Sequence, residues 1–398
     1  MKPATLHSLA VALGLAAAIT SSRPALCADR LPVARAEAVG LKSSSLGEIR
    51  AAMEKEIAAH HAAGVVTLVM RDGKVVHHEA VGYADREQRR RMEKDSVFWI
   101  ASMTKSISAT AVMILVDEGR LSLDEPASKW LPELKRVKLA SGPPRREITL
   151  RDLLSHTAGI QFPPRKPTDG AQSLKNYALE LIKPPLSFEP GSAYEYNFGI
   201  TIAGRIVEIA SGQSFEEFTA ARIFKPLGMR DTTFHPDERL RRRLVKTYKT
   251  GDDGQSLAPG YNPFITQDAT VRHMAEPSGG LFSTAADMAR FYQMILNGGE
   301  WDGKRIVSAA AVAEMTKAHT AGGKELNYGL GWQTGNAQRK AVSVFSAKAY
   351  GHGGAFGTHG LVDPENNLVV VFMVQNVLVK DGGRARETFH KLVADALR

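Results

Sequence analysis

Ser102-Met103-Thr104-Lys105 puts a hydroxyl and an amine three residues apart, where the pattern predicts the start of a helix over residues 101–118. On a helix, positions i and i+3 lie on one face with Cβ atoms about 5–6 Å apart, so the amine can reach the hydroxyl. At a helix N-terminus, free backbone N–H groups and the positive end of the dipole favour developing negative charge. In an apolar site, burial would depress the lysine pKa and leave a neutral amine able to accept or relay a proton. The chemistry this predicts is acyl transfer through a serine nucleophile. The plainer alternative for an isolated Ser-x-x-Lys is a helix cap beside a surface lysine.

Rival chemistries find little support. The sequence contains no Gly-x-Ser-x-Gly, so no α/β-hydrolase nucleophile elbow is expected. Cys27 is the only cysteine, which excludes internal disulfides and cysteine-based zinc sites and argues against a thiol nucleophile. Gly298-x-x-x-x-Gly303-Lys304 nearly spells a phosphate-binding loop. However, Arg305 replaces the Ser or Thr, and a helical pattern precedes it, so a helix-terminating turn is the expectation. His60-His61 and His77-His78 are adjacent pairs, unlike the i, i+4 spacing of a helical metal site. No metal and no cofactor is expected.

The serine lies within a longer string, Phe98-Trp99-Ile100-Ala101-Ser102-Met103-Thr104-Lys105-Ser106. Further on come Ile148-Thr149-Leu150-Arg151-Asp152-Leu153-Leu154-Ser155-His156-Thr157-Ala158-Gly159 and Tyr328-Gly329-Leu330-Gly331-Trp332. Together these make residues 44–398 resemble the serine β-lactamase and penicillin-binding superfamily, nearest to the class C β-lactamase-related esterases, D-aminopeptidases and DD-peptidases. The resemblance implies an α+β fold of the β-lactamase/transpeptidase type: an antiparallel sheet flanked by helices, with an inserted, mostly helical domain.

It also implies a catalytic tyrosine soon after a Pro-Gly turn. Counting from Pro190-Gly191 assigns Tyr196, with Tyr194 as the alternative base. Phe198 stands where many members have the asparagine of Tyr-x-Asn. Aligning Asn197 there instead would put Glu195 at the base. The loss of that asparagine weighs against β-lactam turnover and is tolerated by esterase-like members. The third element, Lys-Thr-Gly in many relatives and His-x-Gly in others, is read at His352-Gly353-Gly354. The resemblance pairs the Ala355 N–H with that of Ser102 as an oxyanion hole. A histidine near neutrality in place of a charged lysine weakens the case for a substrate carboxylate. The expected activity is therefore a carboxylesterase working on a small ester or amide. A D-amino acid peptidase or β-lactamase is the first alternative, and an inert wall- or partner-binding relative the second.

These side chains need a scaffold. Residues 65–70 and 75–81 are β-rich runs joined by Arg71-Asp72-Gly73-Lys74, a strong hairpin signal. Helical periodicity predicts helices over 46–63, 150–154, 174–182, 200–211, 285–297 and 386–397. Strands are expected at 97–100 and 328–333, with a fully buried one at 368–374. The expected organisation is an α/β domain built from 44–119 and 291–398, interrupted by a helical domain at 120–290. Residues 1–28 have the charged start, short apolar core and small residues of a signal peptide, which predicts an exported, periplasmic or secreted protein.

With 398 residues, 43% of them hydrophobic, and a charge of +9, the chain can bury a large core and is not expected to be disordered. Its basic clusters, Arg89–Arg91 and Arg239 with Arg241–Arg243, lack interleaved aromatics, so no nucleic-acid partner is expected. They read as solvated surface, or as a means of peripheral attraction to an anionic cell envelope.

Overall fold

In the computed structural model, the described residues are 31–162, 173–251, 256–264, 273–320, 327–335, 344–377 and 383–397. The expected signal peptide, residues 1–28, lies outside them. Strands β1 (Gly64–Arg71), β2 (Lys74–Asp85) and β3 (Arg90–Arg91) form one side of an eight-stranded antiparallel sheet. Asp72 and Gly73, at φ 51° and 72°, make the tight turn between β1 and β2, a backbone shape that Asp-Gly adopts at little cost. A second short pair, β4 (Phe98–Trp99) and β5 (Phe282–Ser283), stands apart from this sheet.

The sheet is completed from the far end of the chain by β6 (Asn327–Tyr328), β7 (Gln333–Thr334), β8 (Tyr350–Gly353), β9 (His359–Asp363) and β10 (Leu368–Met373). The spatial order is β6-β7-β8-β9-β10-β1-β2-β3, with β10 against β1 in the register Val66 opposite Met373. Strand β10 is buried along its whole length because helices cover both faces. Val369, Val371 and Met373 enter one core, while Leu368, Val370 and Phe372 meet Phe389 and Val393 in another. Those two residues come from the C-terminal helix, Arg384–Leu397.

Residues 328–333, expected as one strand, form a hairpin instead: β6 and β7 pair antiparallel around a turn at Gly329-Leu330-Gly331-Trp332. Alternating large and small residues imitate a strand, but Gly331 at φ 74° reverses the chain. The near phosphate-loop at 298–304 likewise contains a small hairpin, Glu300–Trp301 against Lys304–Arg305.

Helix α1 (Thr104–Asp117) carries Lys105 in its first turn and is buried from Thr104 through Leu115. A helix buried on all sides is a core helix. Its polar side chains are satisfied locally: Ser106 Oγ donates to the Gly331 carbonyl at 2.9 Å and Ser108 Oγ to the Pro277 carbonyl at 2.6 Å. It packs against α2 (Gly199–Ser211), which follows the tyrosine segment.

Candidate active site

Ser102 lies in a 3-10 turn, Ala101–Met103, not in the α-helix expected from residue 101. Ala101 sits at φ 45°, a left-handed conformation uncommon for a side chain with a Cβ, and this turns the chain from β4 into α1. The residue before Ser102 thus holds local strain of the kind found at functional turns. Ser102 is half-buried and Lys105 is 3% exposed.

The Lys105 amine lies 3.2 Å from Ser102 Oγ and donates to the Ser278 carbonyl at 2.6 Å. It also lies 4.8 Å from the centre of the Tyr196 ring. Three segments distant in sequence therefore meet at one nitrogen. Tyr196 is held by its neighbours: the Glu195 N–H donates to the His156 carbonyl at 3.0 Å, and the Asn197 N–H to His156 Nδ1 at 3.2 Å. The Asn197 side chain accepts from the Gly199 N–H at 2.8 Å and donates to the Glu195 carbonyl at 2.8 Å. It is thereby committed to starting α2. Glu195 is exposed, so the geometry places Tyr196, and not Glu195, over the amine. Tyr194 packs farther round the cluster, its ring 5.8 Å from Tyr328 and 6.1 Å from His156.

On β8, His352 is buried, with Nδ1 donating to the Gly353 carbonyl at 2.7 Å. Nε2 is then the acceptor of a hydrogen bond from the Tyr328 hydroxyl at 2.9 Å. Burial, followed by the charge of Lys105, pushes the His352 pKa down to about 3, against the pull of the Gly353 carbonyl. The ring is neutral at pH 7.

Beyond Gly353 the chain turns tightly. The Gly354 N–H donates to the Thr358 carbonyl at 2.7 Å, and Thr358 Oγ1 to the Ile100 carbonyl at 3.3 Å. A Cβ on Gly354 would stand 2.5 Å from the Ile100 carbonyl, so only glycine lets this turn lie against the backbone leading into Ser102. Ala355 is exposed at the turn's tip.

Sequence reasoning missed His156, Tyr328, Ser278 and Glu276 as parts of this site. His156 is fully buried at φ 61°, its ring 4.5 Å from that of Tyr196 and 4.7 Å from that of Tyr328. Its Nδ1 lies 3.2 Å from the Asn197 N–H and 3.3 Å from Asn197 Oδ1, and its Nε2 has no hydrogen-bond partner among the described residues. Burial, then Lys105, holds its pKa well below the usual value. Tyr328 is raised well above a normal phenol by burial and by Tyr196 and Tyr194. Both His156 and Tyr328 stand within strings already noted in the sequence, but nothing in their spacing brings them together. Among the described residues no group of His, Cys, Asp and Glu could hold a metal ion, and no helix is long and apolar enough to cross a membrane.

The arrangement is therefore a half-buried hydroxyl, a buried amine and a phenol ring beside a glycine-lined strand end. The profile of the family described as Beta-lactamase matches residues 49–394. Protein Rv1367c of Mycobacterium tuberculosis is 30% identical over 346 residues, covering 79% of this chain and 86% of its own. Esterase EstB of Burkholderia gladioli is 36% identical over 215 residues, covering 50% of this chain and 54% of its own. Among solved structures, EstCE1, a hydrolase with promiscuous acyltransferase activity, superposes with a TM-score of 0.76 at 25% identity, over 88% of this chain and 99% of its own. A match across nearly the whole described chain, on the β-lactamase/transpeptidase-type α+β fold, makes this protein a member of the Beta-lactamase family and a serine hydrolase.

Proposed function

We propose that the protein is an exported carboxylesterase that works through a Ser102 acyl-enzyme. The observation that carries this reading is the position of the Lys105 amine, 3.2 Å from Ser102 Oγ and 4.8 Å from the Tyr196 ring centre. Ser102 Oγ attacks the ester carbonyl, and its proton passes by way of Lys105 or Tyr196 to the departing alkoxide. The carbonyl oxygen gains charge beside the N–H groups of Ser102 and Ala355. Water then attacks the acyl-serine, giving the acid and restoring the Ser102 proton. Resemblance to an esterase and to an acyltransferase-competent hydrolase supports this class of substrate.

Two features favour an ester over a penicillin or a peptide C-terminus. The neutral, hydrogen-bonded His352 offers no cation to a substrate carboxylate. Phe198, packed edge-on against Phe162 with ring centres 5.6 Å apart, offers no amide to a lactam side chain. The pattern of residues 1–28 supports export; N-terminal sequencing of the protein from fractionated cells tests it.

The activity test compares p-nitrophenyl acetate and butyrate with nitrocefin and with D-alanine release from wall peptides. Mass spectrometry follows the acyl-enzyme. Ester turnover and an acyl adduct that are both lost in Ser102→Ala are expected. Faster turnover of nitrocefin or the peptide would replace the esterase with the lactamase or peptidase. No labelling by a fluorophosphonate or a labelled penicillin would leave only the inert relative.

A further inference from the structure

Glu276 is a fully buried carboxyl that the acyl-transfer scheme leaves unused. It is 1% exposed and forms no ion pair among the described residues. Its Oε1 accepts the Ser278 N–H at 2.9 Å and the hydroxyl of Thr201, on α2. Thr201 Oγ1 also lies 2.7 Å from Ser278 Oγ. The Glu276 backbone carbonyl accepts the N–H groups of Gly279 and Gly280, at 3.2 and 2.8 Å. Side chain and main chain of one residue thus close the turn at 276–280 from the inside.

The opposite side of that turn faces the nucleophile's helix. Three consecutive carbonyls leave it toward three different donors. Pro277 accepts from Ser108 Oγ at 2.6 Å, Ser278 from the Lys105 amine at 2.6 Å, and Gly279 from the Trp99 indole N–H at 2.6 Å. A carbonyl's direction is fixed by the plane of its peptide unit, so these contacts hold only while those planes are held. Here the tie on the central peptide is the Glu276 carboxyl. The Ser278 N–H and carbonyl belong to adjoining peptide units, so fixing the first restricts the second. Buried and otherwise unpaired, the Ser278 N–H would also carry a desolvation cost without that acceptor.

We propose that Glu276 is a positioning residue for Lys105: its carboxyl locks the 276–280 turn so that the Ser278 carbonyl accepts one hydrogen bond from the amine and leaves the nitrogen aimed at Ser102. This rests on the reading of Ser102 and Lys105 as nucleophile and proton carrier. Burial raises the Glu276 pKa, against the Thr201 hydroxyl and the charge of Lys105. An amide of the same shape keeps an acceptor oxygen for the Ser278 N–H and the Thr201 hydroxyl.

The test is a series at this position assayed on p-nitrophenyl butyrate. Glu276→Gln keeps an acceptor oxygen and is expected within about threefold of the native kcat. Glu276→Leu removes it, and kcat is expected to fall about 10²-fold with KM changed by less than about threefold, since a small misplacement of a catalytic group costs that much. The rate of Ser102 labelling by a fluorophosphonate falls by the same factor. Thr201→Val, which removes one of the two side-chain ties on the turn, lowers kcat about tenfold and serves if the leucine variant does not fold. A native kcat in the leucine or valine variant overturns the proposal, as does a glutamine variant as slow as the leucine one. Ser102→Ala separates the two readings: if it stays active, the acyl-enzyme reading itself fails. If it is inactive while the Glu276 and Thr201 variants are fully active, only the positioning role falls.

Discussion

The Tyr328 hydroxyl donates to Nε2 of His352 across 2.9 Å, while Nδ1 of the same ring is spent on the Gly353 carbonyl at 2.7 Å. Both ring nitrogens are therefore used in the neutral form, and a proton on Nε2 would break the bond from Tyr328. The glycine-lined strand end carries a polar pair with no charge, held inside the wall of the site.

This pair makes the fold acid-sensitive. His352 titrates near 6.5 when unfolded and at about 3 when folded. Between those values the unfolded chain binds the extra proton, so stability is full above about pH 6.5 and is lost as pH falls toward 3. One such histidine costs about 2 kcal/mol between pH 7 and pH 5. His352→Gln keeps an acceptor for Tyr328 and removes the titration. Urea unfolding at both pH values is expected to show the variant losing about 2 kcal/mol less than the native protein. Equal losses would refute it.

Lys105→Met swaps a buried amine for a thioether of similar length. The expected result is a kcat lower by about 10²–10⁴ with little change in KM, because a proton carrier contributes that much to the transition state. The melting temperature is expected not to fall, since the variant no longer buries an amine. Steady-state kinetics and a thermal melt check both halves, and a variant that keeps its activity refutes the role.

Tyr196 and Tyr194 differ in what they face. Only Tyr196 has its ring beside the Lys105 amine, while burial raises the Tyr194 phenol well above its usual pKa. Tyr196→Phe is expected to lose about 10²–10⁴ in kcat, and Tyr194→Phe less than about tenfold. The reverse order, from parallel kinetics, would move the base to Tyr194.

Gly354→Ala tests the contact between the strand end and the nucleophile turn. The new Cβ would sit 2.1 Å from Thr358 Oγ1 and 2.5 Å from the Ile100 carbonyl, so the two segments must part. Stability is expected to drop by about 1–3 kcal/mol and kcat by about 10²-fold. Chemical denaturation with kinetics at the same pH measures both, and native values would mean the turn has no such fit.

The legible parts of the structure were those written in neighbouring residues. Asp72-Gly73 announced the hairpin between β1 and β2, the apolar run of β10 announced a strand buried on both faces, and Thr149 with Asp152 caps the helix expected at Leu150–Leu154. Where local pattern and chain path diverge, the reading failed. Tyr328, Leu330 and Trp332 alternate with small residues as a strand would, yet Gly331 at φ 74° folds them into a turn, at a place where an added Cβ would stand 2.7 Å from the Lys105 carbonyl.

By itself the sequence determined that a hydroxyl and an amine stand three residues apart at the start of a helical segment, a spacing that brings them side by side once that segment coils. It could not determine that His156 and Tyr328 enclose Tyr196, that Glu276 closes a turn behind Lys105, or that His352 stays neutral. Those depend on which segments the sheet and core bring together and on how far water is excluded. Desolvation and long-range hydrogen bonding are properties of the packed chain, and residue order does not encode them at any fixed spacing.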